Sequence, residues 1–220
     1  MSDNYSEKPY QYQIKAAMLG SGGVGKTSFL DRYFNNKFTR NYLQTIGFNS
    51  ISKIMKLPNG ESVKVTFSDT SGQERYKSIT SNCLRNVQGI LLMYDIANKN
   101  SFDCINYWLD LIKDTKDVRT FPVILIGNKI DLKDERVISK ENGKNKAEEL
   151  NLHFYEISVK DKINVNEPVL DLIYQISSKI NNNQNCDNSY KGFKIEDHKK
   201  NGKKKHKKGC CHGGDKEGKK

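Results

Sequence analysis

The octet Gly20-Ser21-Gly22-Gly23-Val24-Gly25-Lys26-Thr27 has the spacing G-x-x-x-x-G-K-[ST]. Each residue type in it suits the binding of an anion. Glycines let backbone N–H groups crowd round a phosphate with no side chain in the way. A helix starting near Gly25 would aim its positive end at the same phosphates. Lys26 brings a mobile charge to β/γ-phosphates, and the Thr27 hydroxyl can ligate Mg²⁺. Gly22, Gly23, Val24, Gly25, Lys26, Thr27 and Ser28 are therefore the candidate phosphate-binding residues. The alternative is a glycine-rich turn before an ordinary helix. The flanks oppose it: Ile14 to Leu19 is strand-like and Ser28 to Phe34 has an amphipathic helical pattern. Strand, glycine-rich loop and helix in that order is the arrangement a phosphate loop needs.

Three further clusters follow. Asp69-Thr70-Ser71-Gly72-Gln73-Glu74 ends a β-rich run. Asp69 at a strand end can hold Mg²⁺, Gly72 can bring a backbone N–H to a γ-phosphate, and Gln73 can orient an attacking water. Asn128-Lys129-Ile130-Asp131 follows an apolar run. The Asp131 carboxylate can accept two N–H groups from guanine, whereas adenine presents a lone pair at the same place. A buried polar group left unpaired discriminates by a factor on the order of 10⁴–10⁵. Ser158-Val159-Lys160 stands where a loop could close over the base.

These clusters need a frame, and the pattern supplies one. Ile46–Leu57 and Glu61–Ser68 flank Pro58-Asn59-Gly60, which predicts a hairpin and one antiparallel pair. Gly89–Tyr94 and Pro122–Gly127 are continuous apolar runs, as in strands buried on both faces. Phe102, Ile105, Trp108, Leu109 and Ile112 recur at helical spacing, with Trp108 as a core residue. Ser139 opens another helix, and His153–Ile157 is a short strand. Asn164-Val165-Asn166-Glu167 suggests a variant capping box before a last helix carrying Val169, Leu172, Ile173 and Ile176. Alternation of this kind predicts an α/β sheet with helices on both faces. Its ligands would sit at the carboxyl ends of the strands, where all four clusters fall.

The 220 residues carry a net charge of +11, unevenly placed. Residues 199–220 hold ten lysines against Asp215 and Glu217, so +8 lies there and +3 in the remainder. A near-neutral body argues against a nucleic-acid reader. No apolar run reaches the ~18 residues of a membrane span. The polar start predicts no signal peptide, and Ser2 excludes N-myristoylation. Cys83, Cys104, Cys186, Cys210 and Cys211 lack framework spacing, which predicts a reducing setting without disulfides. We expect residues 1–9 to be a flexible N-terminus, 10–181 the domain and 182–220 a disordered basic tail.

Order and spacing together resemble the small Ras-like GTPases over roughly residues 10–181, and within them the Rab branch. Asp69 to Tyr76, Leu92 to Ile96 and Phe38 to Gly47 are similar to Rab stretches. The resemblance implies a P-loop NTPase fold: a six-stranded, mostly parallel sheet with one antiparallel strand and five helices. It implies a GTP switch that cycles to GDP, slow without an activator, in intracellular vesicle traffic. It places Phe38 against the guanine edge, with Tyr42 in the same nucleotide site. Thr45 would be the second Mg²⁺ ligand beside Thr27, and Asp69 would act through water. Gln73, with Lys26, would serve hydrolysis. Residues 38–48 and 70–84 would be switches that meet exchange factors, activators and effectors. Cys210-Cys211, after a lysine run, is similar to a Rab double-cysteine prenylation site, although His212 to Lys220 follow it. Palmitoylation, or a merely solvated basic run, are the other readings. The expected place is the cytoplasmic face of an intracellular membrane, with a cytosolic pool, as a monomer.

The chain departs from that pattern in three places. Ser71 replaces the usual alanine, and a hydroxyl near the γ-phosphate could slow hydrolysis. The base-closing Ser-Ala-Lys is Ser158-Val159-Lys160, a small change because the contact is mainly backbone. The exposed aromatic triad of Rab proteins falls on Ser50, Ser68 and Cys83, all small, with Phe48 as a partial substitute. A competing reading is therefore a GTP-loaded scaffold with impaired hydrolysis and non-standard effectors. An ATPase or kinase is disfavoured by Asp131.

Overall fold

Ile14, Ala16 and Met18 face one side of the first strand, Ala17 and Leu19 the other, and all five are fully buried. A strand apolar on both faces must lie between two layers. It does so in a computed structural model that describes residues 9–39, 48–70, 84–117 and 120–184, with the backbone alone for 48, 70 and 181–184. They fall within one compact unit, Met1–Cys186.

The strands are β1 (Tyr12–Leu19), β2 (Phe48–Lys56), β3 (Ser62–Thr70), β4 (Gly89–Asp95), β5 (Val123–Asn128) and β6 (His153–Glu156). They form one sheet in the order β2-β3-β1-β4-β5-β6. Only β2 and β3 pair antiparallel; the other pairs are parallel. The hairpin turns at Gly60, φ 86°, where the Leu57 N–H donates to the Glu61 carbonyl at 2.8 Å. The helices among the described residues are α1 (Lys26–Asn35), α2 (Lys99–Asp103), α3 (Ile105–Lys113), α4 (Lys140–Glu149) and α5 (Glu167–Gln184).

One cluster packs α1 and α5 on the sheet, with Phe29, Leu172 and Ile176 against Ile14, Met18 and Phe67. The other packs α3 and α4 on the opposite face, with Trp108, Ile112 and Ala147 against Leu92, Tyr94 and Leu125. Each leucine, isoleucine, methionine or phenylalanine side chain so withdrawn from water contributes about 1.5–3 kcal/mol. Trp108 is a core residue, 2% exposed.

Three expectations are corrected. The last helix begins at Glu167, so Asn164 is not its cap. Asn164 sits in a left-handed turn, φ 53°, and its Nδ2 donates to the Glu156 carbonyl at 3.0 Å. The helical signal around Phe102–Ile112 belongs to two pieces, separated at Cys104 and starting at Lys99. Ser68 is buried, 8% exposed, opposite the exposed Ser50 in the β2–β3 register, so the two do not form one exposed patch. Ser139 does cap α4, its Oγ accepting from the Asn142 N–H at 3.0 Å.

The edge strand β6 is tied down at both ends. The His153 ring nitrogen (2.6 Å) and the Tyr155 hydroxyl (2.9 Å) both meet the Asp171 carboxylate of α5. Glu156 takes a bidentate grip from Arg136, at 2.5 and 3.1 Å. That fixes the chain entering Ile157 and Ser158.

Helix α4 buries only Gly143 and Ala147, small residues one turn apart that let a polar helix approach the sheet closely. A Cβ at Gly143 would collide with the Tyr94 hydroxyl and come within 2.6 Å of the Phe154 ring. Gly to Ala inside a helix ordinarily gains up to ~1 kcal/mol. Overpacking costs about 1–3 kcal/mol and wins here. We therefore expect Gly143→Ala to lower the melting temperature of the full chain by roughly 2–6 °C. A rise would mean that the helix shifts freely.

Candidate functional site

The glycine-rich loop joins β1 to α1 at the carboxyl edge of the sheet. Gly20, Gly23 and Gly25 all have positive φ, at 134°, 77° and 104°. Gly25 has a second constraint: a Cβ there would lie 2.5 Å from the Asn128 amide nitrogen. The loop wraps round Lys26, which is 5% exposed and donates to the carbonyls of Gly20 (2.7 Å) and Ser21 (2.9 Å). The ammonium is thus held inside the arc where an anion would rest, at the N-terminus of α1.

Asn128, 1% exposed, joins this loop to the next one. Its Nδ2 donates to the Val24 carbonyl at 2.8 Å and its Oδ1 accepts from the Val159 N–H at 3.3 Å. Asp131 lies just beyond. Ser158 Oγ donates to Asp131 Oδ1 at 2.6 Å, and Lys160 Nζ reaches Oδ2 at 3.3 Å. Burial pushes the Asp131 carboxyl up, but the Ser158 hydroxyl, its own backbone N–H and Lys160 outweigh it and hold the group below the usual range. The Ser158 loop is itself braced, since Ser158 and Ile163 exchange backbone bonds at 3.1 and 2.9 Å. A carboxylate has about four lone-pair sites, so Asp131 keeps acceptor capacity for two N–H groups. Lys129 takes up a left-handed φ of 71° and anchors its ammonium on Asp95 at 2.6 Å.

Thr27 Oγ1 donates to Asp69 Oδ2 at 2.6 Å. The other oxygen, Asp69 Oδ1, is buried without a hydrogen-bond partner, and so is Ser21 Oγ. Burial raises the Asp69 carboxyl above its ordinary 3.8, against the opposing pull of Thr27 and Lys26, with Asp31 adding to the rise. An orphaned carboxylate oxygen beside a hydroxyl, under a desolvation penalty, is the chemistry a hard divalent cation relieves. The residues fit Mg²⁺.

The structure therefore brings together Gly22 to Ser28, Asp69, Asn128, Lys129, Asp131 and Ser158 to Lys160 along one edge. Phe38 is partly buried against the core near α1. Tyr42, Thr45, Gly72 and Gln73 lie outside the described residues, as do Ser71, Cys83, Cys210 and Cys211. Sequence reasoning missed two residues. Asp95 holds Lys129, and Arg32 bonds the Val159 and Lys160 carbonyls at 2.9 and 3.0 Å. Neither lies in a motif with a mechanism; Arg32 looks only like a basic residue near a helix end.

The model of the Ras family matches residues 15–178. Rab-3C of Bos taurus is 39% identical over 183 residues, 83% of this chain and 79% of that protein. Rab-3A of Homo sapiens is 39% identical over 175 residues, 80% and 79% of the two chains. A rat relative, described as a GTP-binding protein, Rab-3D, is 40% identical over 176 residues, 80% of each.

Because the Asp69 value is raised on folding, its contribution to stability is present below pH about 3.8 and lost as the pH climbs through the folded value. At neutral pH, without metal, the ionised group is a cost. Asp69→Asn should then melt no lower than wild type in chelator, and should lose most of the stabilisation that added Mg²⁺ gives. A variant that melts lower in chelator and responds to Mg²⁺ as wild type does would contradict this.

Proposed function

This chain belongs to the Ras family of small GTPases, in its Rab branch, and on that premise we propose how its own residues work the switch. The chain binds guanine nucleotides and hydrolyses GTP to GDP. The observation that carries the residue assignment is the Asp131 carboxylate, held ionised by Ser158 beside the amide that links both loops.

The backbone N–H groups of Gly22 to Ser28 bind the β-phosphate region, and Lys26 carries the charge to the γ-phosphate. Thr27 and Asp69, with Thr45, would hold Mg²⁺, which would supply positive charge to offset that of the phosphates. Asp131 accepts the guanine N1 and 2-amino hydrogens, and the Val159 and Lys160 backbone covers the base. Phe38 and Tyr42 complete the nucleotide pocket. Gln73 orients the water, and the Gly72 N–H approaches the γ-phosphate. Turnover is slow until an activator supplies transition-state charge, worth ~10³–10⁵. Residues 38–48 and 70–84 meet the exchange factor, activator and effectors. Ser50 offers no aromatic grip there, so effectors use other contacts.

The setting is vesicle traffic at the cytoplasmic face of an intracellular membrane, with a cytosolic pool and a monomeric protein. The tail supplies two membrane signals. Each lysine near an anionic leaflet contributes ~1 kcal/mol, and lipid on Cys210 and Cys211 supplies the second anchor that stable attachment needs.

Two experiments test this reading. In nucleotide displacement, GTP and GDP should compete and ATP should not. Asp131→Asn keeps an oxygen for Ser158 but turns one acceptor into a donor. GDP affinity should fall at least tenfold, with preference moving toward xanthine nucleotides. Equal competition by ATP and GTP would overturn the assignment. In cell fractionation, Cys210→Ser with Cys211→Ser should empty the membrane pool while GTP binding persists. Unchanged membrane binding would make the tail a purely electrostatic device.

A further inference from the structure

The guanidinium of Arg32, in the last turn of α1, spends its donors on two separate elements. Nε donates to the Val159 carbonyl at 2.9 Å and Nη2 to the Lys160 carbonyl at 3.0 Å. Nη1 donates to the Asn36 carbonyl at 3.3 Å, just past the helix. Its central carbon stands 5.5 Å from the centroid of the Phe38 ring. One planar group thus grips the two residues after Ser158 by their backbone and lies over an aromatic ring at the start of the next segment.

We propose that Arg32 is a positioning residue that clamps the base-covering loop to Phe38 and so sets how fast guanine nucleotide leaves. This rests on the assignment of Ser158-Val159-Lys160 and Phe38 to the base pocket. The physical case is one of geometry. The Ser158–Lys160 backbone can cover a base only while it stays down; Ile163 braces Ser158 and Asn128 holds the Val159 N–H, but neither takes the carbonyls of Val159 and Lys160. At Val159 and Lys160 the carbonyls point to Arg32. A guanidinium has five donors in a rigid fork, so it bonds two successive carbonyls at once. The same guanidinium lies over Phe38 within cation–π range. Release of the base must open the loop, move Phe38, or both. Either motion breaks a contact with Arg32. Lysine cannot replace it, because a point charge on a flexible stem does not present the rigid fork that bonds two successive carbonyls at once.

The clamp touches the base end and not the phosphate end. Its loss should therefore accelerate release of di- and triphosphate by the same factor, whereas damage to the phosphate loop or Mg²⁺ site would treat them differently.

The test measures release of fluorescent GDP and of a non-hydrolysable GTP analogue from the full chain in Mg²⁺. The proteins are wild type, Arg32→Gln, Arg32→Lys, Phe38→Leu and the Arg32→Gln/Phe38→Leu pair. Arg32→Gln should release both nucleotides about tenfold faster, by one common factor. Arg32→Lys should recover only a small part of that. The double variant should fall short of the product of the two single effects, since both break one clamp. Unchanged release in Arg32→Gln, full rescue by lysine, or multiplicative effects would each overturn the inference while leaving the nucleotide assignment intact. A wild type that holds no guanine nucleotide overturns both. Should Arg32→Gln fold poorly, Arg32→Lys and Phe38→Leu carry the comparison alone.

Discussion

One buried side-chain amide holds the site in register. Asn128 ends β5, faces neither water nor an aliphatic pocket, and divides its bonds between Val24 of the phosphate loop and Val159 of the base loop. A buried amide left unpaired costs about 1–3 kcal/mol, so both loops must come to it. Gly25 is part of the same constraint, because any side chain there would displace the amide. The parallel pairing of β4 with β5 sets Asp95 beside Asn128, which in turn gives Lys129 its anchor. A chemical group on β5 thus fixes the spacing between the glycine-rich loop and the Ser158–Lys160 loop.

The two carboxylates of the site are treated in opposite ways. Asp131 has its charge stabilised in advance by a hydroxyl, a backbone N–H and Lys160, which suits an acceptor that must stay ionised while it recognises N–H groups. Asp69 is desolvated beyond what Thr27 and Lys26 offset, with one oxygen orphaned. A carboxylate in that condition is stabilised by the arrival of a cation. On the proposed reading, acceptor and metal ligand are the same functional group, and their surroundings separate the roles.

Much of this was legible in the sequence because phosphate and base recognition demand particular residue types at fixed local spacing. Gly20 to Thr27, Asp69 and Asn128 to Asp131 could be named before any fold was known. So could the sheet, since two continuous apolar runs and an Asn-Gly hairpin leave few topologies. What escaped was long-range. Arg32 meets partners more than a hundred residues away through backbone carbonyls, which leave no trace in residue type. Asn164 looked like a cap, but its amide donates to the Glu156 carbonyl eight residues earlier and the helix starts later. Ser68 looked like a surface position by analogy, and its burial follows from its place in β3, the strand between β2 and β1.

The assignment of Lys26 to phosphate and Asp131 to guanine stands or falls on what occupies this site as the protein is made. The most direct measurement is the nucleotide released on denaturing protein purified without added nucleotide, separated by chromatography and compared with protein concentration. A guanine nucleotide, mostly GDP, is expected in near-stoichiometric amount. Adenine nucleotide in that place, or protein that is folded and empty, would contradict it.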